Sequence, residues 1–381
     1  MEIKPVSARG GARQVWRWSR YVLLCVAFIT LSHRDATAQP QSGSQNSNTL
    51  PAEQLEGVLV RDLRPSMGTL VEISIWHPDQ AAAQSAVDAA YGEIHRLERR
   101  LSEWLDTSDI SIINNNAAAG PVSVGDDTLV VLKAAIRVGD ASGGAFDVTW
   151  ATLSQLWDFS AVEPRVPTPS EIAEKLPMID YRNVTLDLER KTVFFQKPGI
   201  RLGLGGIAKG YAVDRAANLL YSSGFSSFMI NAGGDINARG RHGDQPWKIG
   251  LQHPRKKRGE VFAYVFLTAD TLVTSSDYER WFVQDGKRYH HIIDPKTGFP
   301  TTKTASVTVV GQNGTLADAA ATAAMVLGPE KGSKMLAKLG LDGVFVKENG
   351  HIVVTPGLKK RLILVDKGPL DMTGKVPAKT P

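Results

Sequence analysis

Gly203-Leu204-Gly205-Gly206-Ile207-Ala208-Lys209-Gly210-Tyr211-Ala212-Val213-Asp214 sets three glycines in four positions directly before a helical pattern. A glycine turn lets backbone N–H groups approach a phosphate, and the helix start behind it adds partial positive charge. Lys209, in the first turns, offers an ammonium to the same anion. Through Ala208 the stretch fits G-x-G-x-x-A, the dinucleotide-binding fingerprint. That fingerprint also needs a βαβ unit and an acidic residue about 20 positions on. Residues 225–230 stand there and contain no acid. Gly-Lys-Ser/Thr is absent, so the stretch is no P-loop either. A plain strand-to-helix turn competes with the phosphate reading, and the rest of the chain must decide.

Working outward, no regular βαβ beat appears. Upstream, 60–76 alternates as a strand pair broken at Pro65-Ser66-Met67-Gly68. Helices are expected over 79–101, 108–116, 126–142 and 149–157. The first carries Val87, Tyr91, Ile94 and Leu97 at helical spacing, and Gly143-Gly144 stops the third. A proline-bearing loop over 159–168 follows, then strands near 184–188, 192–195 and 200–202. Downstream of the helix at 207–222, Phe228-Met229-Ile230 reads as a buried strand. It enters a second glycine turn, Asn231-Ala232-Gly233-Gly234-Asp235. Strands dominate from there: 247–251, 261–267, 271–274, 280–284 and 304–310. Arg255 to Arg258 reads as a solvated hairpin loop. Two helices over 316–327 and 330–339 precede strands at 344–346 and 352–354. Helices and hairpins mixed in this way predict an α+β fold with mostly antiparallel sheet.

The net charge of +5 over 381 residues lies mostly in the first 38. Six basic residues there face two acidic ones, so the remainder is near neutral and a nucleic-acid surface is not indicated. The same 38 residues read as a secretory signal: a basic start, an apolar run over 21–31, and Ala36-Thr37-Ala38 before Gln39. The run is short of the ~20 residues that span a bilayer. Cys25, the single cysteine, lies inside it, preceded by Leu24, which disfavours lipid attachment. Once the signal is cleaved no cysteine remains, which removes disulfides and thiolate chemistry and suits the bacterial periplasm. A flexible linker is expected over 39–56, one large domain over 57–366, and a disordered Pro/Lys/Thr-rich tail over 367–381.

Other motifs are weak singly. Asp318 and Thr322 are i and i+4, on one face of an alanine-rich helix. A carboxylate with a hydroxyl is a hard oxygen donor pair, suited to Mg²⁺. Equally, an acid in a first helical turn is favoured by the dipole alone. His290-His291-Ile292-Ile293-Asp294 reads as a strand ending in a turn, and a histidine there is suited to accept a proton. One histidine in and one out is the bland alternative. Ser142 to Asp147 and Arg64 to Thr69 are glycine-marked loops that could line a flat ring.

In order, the segments read SMGTLVEI, LSEWLDTSDISIIN, SGGAFDVT, LGGIAKGYAVD, NAGGDI, TSSDYERWF, YHHIIDPKTGFP and ADAAATAAMVLG. This series resembles the ApbE family of flavin transferases, the FAD:protein FMN transferases, over about residues 58–354. The resemblance implies a single large α+β, T-fold-like domain. It also implies a reaction: FAD is the substrate, its pyrophosphate is cleaved, and FMN is attached to a Ser or Thr of an acceptor protein with release of AMP. Mg²⁺ and a lysine would neutralise the pyrophosphate. By matching motif, Met67, Trp104, Ala145, Phe146, Asp147, Gly203, Lys209 and Ile293 would contact FAD. The carbonyl of Gly206 with Asp318 and Thr322 would hold the metal. His291 would be the base or a phosphate ligand, with Asp147 and Asp235 orienting neighbours.

The chain departs from the family pattern at three places. Gly203 stands where an Asp usually precedes LGGIAKG, Trp104 where many members have Tyr, and Ala321 where some have a second Asp before the metal Thr. Restoring Asp at 203 is expected to tighten FAD binding if the family carboxylate is beneficial here; no gain would mean that the chain has repacked around glycine. Two other readings share the same sites: an FAD pyrophosphatase releasing FMN and AMP to water, and a non-enzymatic flavin-binding protein.

Overall fold

The computed structural model describes residues 57–366 and 368–373. It opens with β1 (Val58–Ser66), β2 (Thr69–His77), α1 (Gln80–Leu101), α2 (Asp109–Asn116), β3 (Val122–Ser123) and α3 (Asp126–Ser142). Next come α4 (Pro169–Lys175), β4 (Val184–Asp187), β5 (Thr192–Phe195) and α5 (Ala208–Ser222). β6 (Phe228–Ala232), β7 (Asp235–Arg239), β8 (Trp247–Gln252), β9 (Val261–Leu267) and β10 (Ala269–Ser276) follow. Then stand β11 (Trp281–Gln284), β12 (Lys287–His290), β13 (Thr304–Gly311), α6 (Gly314–Lys338), β14 (Asp342–Lys347), β15 (Ile352–Val354) and β16 (Leu362–Leu364).

One eight-stranded sheet, ordered β1-β2-β6-β7-β10-β13-β14-β15, forms the backbone of the fold. Each of its strand pairs is antiparallel. Helices cover one face: Val71, Ile73 and Ile75 of β2 meet Val87, Tyr91 and Ile94 of α1 and Leu220 of α5. A small sheet, β16-β9-β8, covers the other, setting Trp247, Ile249 and Val265 against Ile236, Leu272 and Val344. Central strands are therefore buried on both faces: β6 reads as an apolar run, and β13 buries Thr304, Ser306 and Thr308 alternating with apolar residues. The α+β expectation with antiparallel sheet holds.

Several elements differ from the sequence reading for identifiable reasons. Residues 200–202 form no strand, because Asn114 at the end of α2 takes a strand's place. Its side-chain oxygen accepts from Leu202 N (2.7 Å) and its amide donates to Leu202 O (3.0 Å). The backbone demand is met by one side chain. Residues 148–153 make a 3₁₀ turn, with Asp147 accepting at its start from Thr149 N (2.8 Å). β12 stops at His290, so the histidine pair does not share a longer strand. Gly328, at φ 77°, interrupts α6 where two helices were expected. Residues 368–373, assigned to the tail by composition, dock on the body: Leu370 is buried and its N–H donates to Gly350 O (2.9 Å). The expected signal and linker, and the end of the tail, lie outside the described residues.

The focal helix α5 is fastened to α6 by a reciprocal pair of caps. Ile207, at the N-cap of α5, gives no side-chain cap. Asp318 of α6 does so instead, accepting from Gly210 N (3.0 Å). In return Asp214 of α5 accepts from Gly314 N (3.0 Å) and Thr315 N (2.9 Å) at the start of α6. Both helices thus use Gly-x-x-x-Asp, and each aspartate serves the other's glycine. The glycines are required by proximity: a Cβ at Gly210 would overlap the Gly314 carbonyl oxygen and lie 2.8 Å from Asp318 Cβ. Gly210→Ala should therefore destabilise by about 1–3 kcal/mol through overpacking. Gly92→Ala, on an exposed part of α1 with nothing within 4 Å of the new methyl, should stabilise by up to about 1 kcal/mol. Thermal denaturation of the two variants checks both signs.

Candidate active site

The reciprocal caps bring the glycine turn, the start of α5, the β6–β7 turn and the first turns of α6 to one place. Lys209 Nζ lies 2.7 Å from Asp235 Oδ2 and 3.8 Å from Asp318 Oδ2. The carboxylates are buried, at 2% and 4% side-chain exposure, while Lys209 keeps 26%. Asp235 reaches this position because Gly233 and Gly234, both at positive φ, reverse the chain in two residues. Two carboxyl groups face one ammonium, close enough to oppose each other's ionisation. Burial, reinforced by Asp318, holds the Asp235 carboxyl well above its ordinary range. Burial opposes charge on Lys209, yet Asp235 and Asp318 outweigh it and hold the ammonium protonated far past neutrality. A cation bound beside them would favour the ionised form of both acids.

Oxygen donors stand beside it. Thr322, one turn after Asp318, sets its Oγ1 3.1 Å from where a Cβ on Gly206 would lie, and 3.3 Å from Ser275 Oγ on β10. Phe146 Cε2 borders the same glycine, 3.3 Å from that Cβ position. Any larger residue at 206 would press on both. Among the described residues no group of three or more His, Cys, Asp and Glu is arranged for a metal. A cation here would depend on the Asp318 carboxylate, the Thr322 hydroxyl and main-chain carbonyl oxygen. These are hard donors, and they fit Mg²⁺ rather than zinc.

The other expected residues occupy varied positions. His291 follows β12, its main-chain N–H and its Nδ1 both directed to Arg280 O (3.1 and 3.3 Å). Burial, then the Arg280 guanidinium, push the imidazole down to about 3, so it is neutral at physiological pH. An Nδ1–H tautomer satisfies Arg280 O and leaves Nε2 as an acceptor. Lys209 also acts on this imidazole through space, which ties His291 to the cluster. Met67 sits at φ 51° in the β1–β2 turn, its N–H held by Glu98 Oε1 (2.8 Å), and packs against the helix-side core. Ala145 and Phe146 are buried; Trp104 is 66% exposed. Both oxygens of Asp147 are used within the protein, by Thr149 and by Tyr181 N (2.9 Å), which fits orientation of its neighbours rather than ligand contact. Ile293 turns its side chain into an aromatic cluster with Trp157 and Phe282, so its main chain is what it can present.

A search of the ApbE family's sequence pattern matches residues 67–345. The chain belongs to the ApbE family. It is 32% identical over 317 residues to the FAD:protein FMN transferase of Treponema pallidum, covering 79% of this chain and 88% of that one. Identity to the FAD:protein FMN transferase of Vibrio cholerae is 34% over 290 residues, covering 74% and 84%. The crystal structure of the ApbE protein of Thermotoga maritima matches with a TM-score of 0.74 at 33% identity, covering 80% and 99%.

Within this ApbE-family site, sequence reasoning identified Gly206, Lys209, Asp318 and Thr322, which the fold brings together. It missed Ser275, Arg280 and Glu103. Arg280 lies in the TSSDYERWF motif and acts on Lys209, His291 and Glu103 through space. It was legible only as one charge among many on a strand-rich segment. The structure opposes the expectation for Asp at 203: a Cβ there would stand 2.8 Å from Ala151 Cβ and 3.2 Å from Glu103 Oε2. A side chain does not fit, and a second carboxylate would repel the first.

Lys209→Met should destabilise the protein by about 3–5 kcal/mol, because it leaves two buried carboxylates without their cation. Lys209→Met/Asp235→Asn should recover much of that loss. Unfolding of the four species in a double-mutant cycle reads the coupling; additive losses would mean the ion pair contributes nothing.

Proposed function

We propose that this chain is an FAD:protein FMN transferase that moves FMN from FAD to a Ser or Thr hydroxyl of an acceptor protein, releasing AMP. The observation that carries this reading is the buried Lys209–Asp235–Asp318 cluster beside the glycine turn and Thr322. Membership of a family whose relatives bear that name supports it.

Each residue's part follows from its position. The turn at Gly205–Gly206 receives the pyrophosphate against its backbone N–H groups, with the helix start of α5 behind it. Lys209 and Arg280 supply positive charge on the same side. Asp318, Thr322 and the Gly206 carbonyl would hold Mg²⁺, which when bound neutralises phosphate charge. Phe146 and Met67 line an apolar slot for a ring. His291 keeps a free Nε2 and takes the proton from the acceptor hydroxyl. Burial, then Arg280 and more weakly Lys209, suppress its basicity, and an anionic pyrophosphate near these cations would offset their share.

Export to the bacterial periplasm is part of the same proposal, supported by the basic–apolar–small pattern of residues 1–38. No helix among the described residues is long and apolar enough to cross a membrane. The unit at 57–366 is proposed as the catalytic domain.

The test uses mature protein, FAD, Mg²⁺ and an acceptor domain. Flavin fluorescence should appear on the acceptor band, with AMP in solution. Asp318→Asn keeps an oxygen for the α5 cap but loses the charge, so it should stay folded while turnover falls by roughly 10²-fold or more. Rapid FMN release without acceptor, with no flavin on the protein, would favour a pyrophosphatase. FAD persisting intact in Mg²⁺ would favour a binding protein.

A further inference from the structure

Glu103 lies in the loop between α1 and α2, outside every role assigned above. The loop is fixed at both ends: Trp104 N donates to Ser102 Oγ (3.1 Å), and Ser108 Oγ donates to Ser102 O. This geometry carries the Glu103 carboxylate across to the glycine turn. Its Oε2 lies 3.2 Å from where a Cβ on Gly203 would be, in a niche also bordered by Trp150 Nε1 and Ala151 Cβ. Gly203 cannot move aside, because its N–H is held by Val148 O (2.8 Å). Glu103 thus fills the room that a side chain at 203 would need.

Half-buried beside the turn, the carboxylate makes no hydrogen bond or ion pair among the described residues. Arg280 and Arg201, the charged groups that face it, act only through space. A desolvated acceptor with no donor is costly unless something else supplies one. The exposed indole of Trp104 stands next to it in sequence, a flat apolar surface adjoining a hydrogen-bond acceptor. That pairing suits the edge of a heteroaromatic ring bearing an N–H.

We propose that Glu103 accepts a hydrogen bond from a ring-edge N–H of FAD, and that glycine at 203 is the space this contact requires. The inference rests on the reading of FAD as substrate. Both the flavin ring and the adenine of FAD carry such a donor, and competition experiments distinguish them. Burial pushes the Glu103 carboxyl up to about 7 against the opposing pull of Arg280 and Arg201. Since only the ionised form is a pure acceptor, FAD affinity should rise with pH through about that value.

FAD binding is measured by flavin fluorescence quenching, without Mg²⁺ or acceptor, for wild type, Glu103→Gln and Glu103→Ala. Glu103→Ala should weaken binding by about tenfold or more. Glu103→Gln keeps a carbonyl acceptor, so it should retain most of the affinity but lose the pH dependence. Parallel titrations with FMN and with ADP locate the donor: the weakening follows FMN if the flavin ring is held, and ADP if adenine is. Equal FAD affinity in wild type and Glu103→Ala, with unchanged melting temperatures, would overturn the proposal for Glu103 alone. Failure of wild type to bind FAD would overturn the FAD reading and this inference with it.

Discussion

Two aspartates, each closing the other helix's first turn, hold this site together. Asp318 satisfies Gly210 N and Asp214 satisfies Gly314 N, across about a hundred residues of intervening chain. A cap of this kind is worth about 1 kcal/mol, so the pair is not the main source of stability. Its importance is geometric. The bonds run in both directions, and the glycines permit no slack, so neither helix can slide without breaking contacts on the other. The glycine turn, Lys209 and Thr322 inherit that fixed relation.

The same constraint explains the charge arrangement. Asp318 must sit at the start of α5 to cap it, which brings it within reach of Lys209 on the next residue. Asp235 arrives from the other side through the Gly233-Gly234 turn. One ammonium then serves two buried acids that oppose each other's ionisation, at the place where a cation and a polyanionic substrate would meet. A residue with a structural duty is thus also the strongest metal-ligand candidate. Replacing it by alanine confounds the two roles, whereas asparagine separates them.

Much of this was legible in the sequence, for physical reasons. The glycine turn before Lys209 and the i, i+4 spacing of Asp318 and Thr322 are local patterns, and the chain's spaced motifs carried the family resemblance. Long-range substitutions of one group for another were not legible. Asn114 satisfies Leu202 in place of a partner strand, so an apolar segment that reads as β is not β. Asp214 and Gly314 show no local sign that they belong together. Glu103 and Arg280 lie in loops or strand ends where a charge is ordinarily solvated, and only the fold turns them toward the glycine turn. Residue 203 is the sharpest case: its missing side chain reads as a loss in sequence and as room for a neighbour in three dimensions.

The central claim is that Asp318 both fastens α5 and holds the cation. It is tested most directly by the melting temperature of wild type and Asp318→Asn, with FAD present, as Mg²⁺ is raised. A ligand that binds only the folded state at 100 times its Kd stabilises by about 2.7 kcal/mol. Wild type should therefore gain stability with Mg²⁺, while Asp318→Asn, similar to it without Mg²⁺, should not respond. An equal rise in both proteins, or no rise in wild type, would contradict the account.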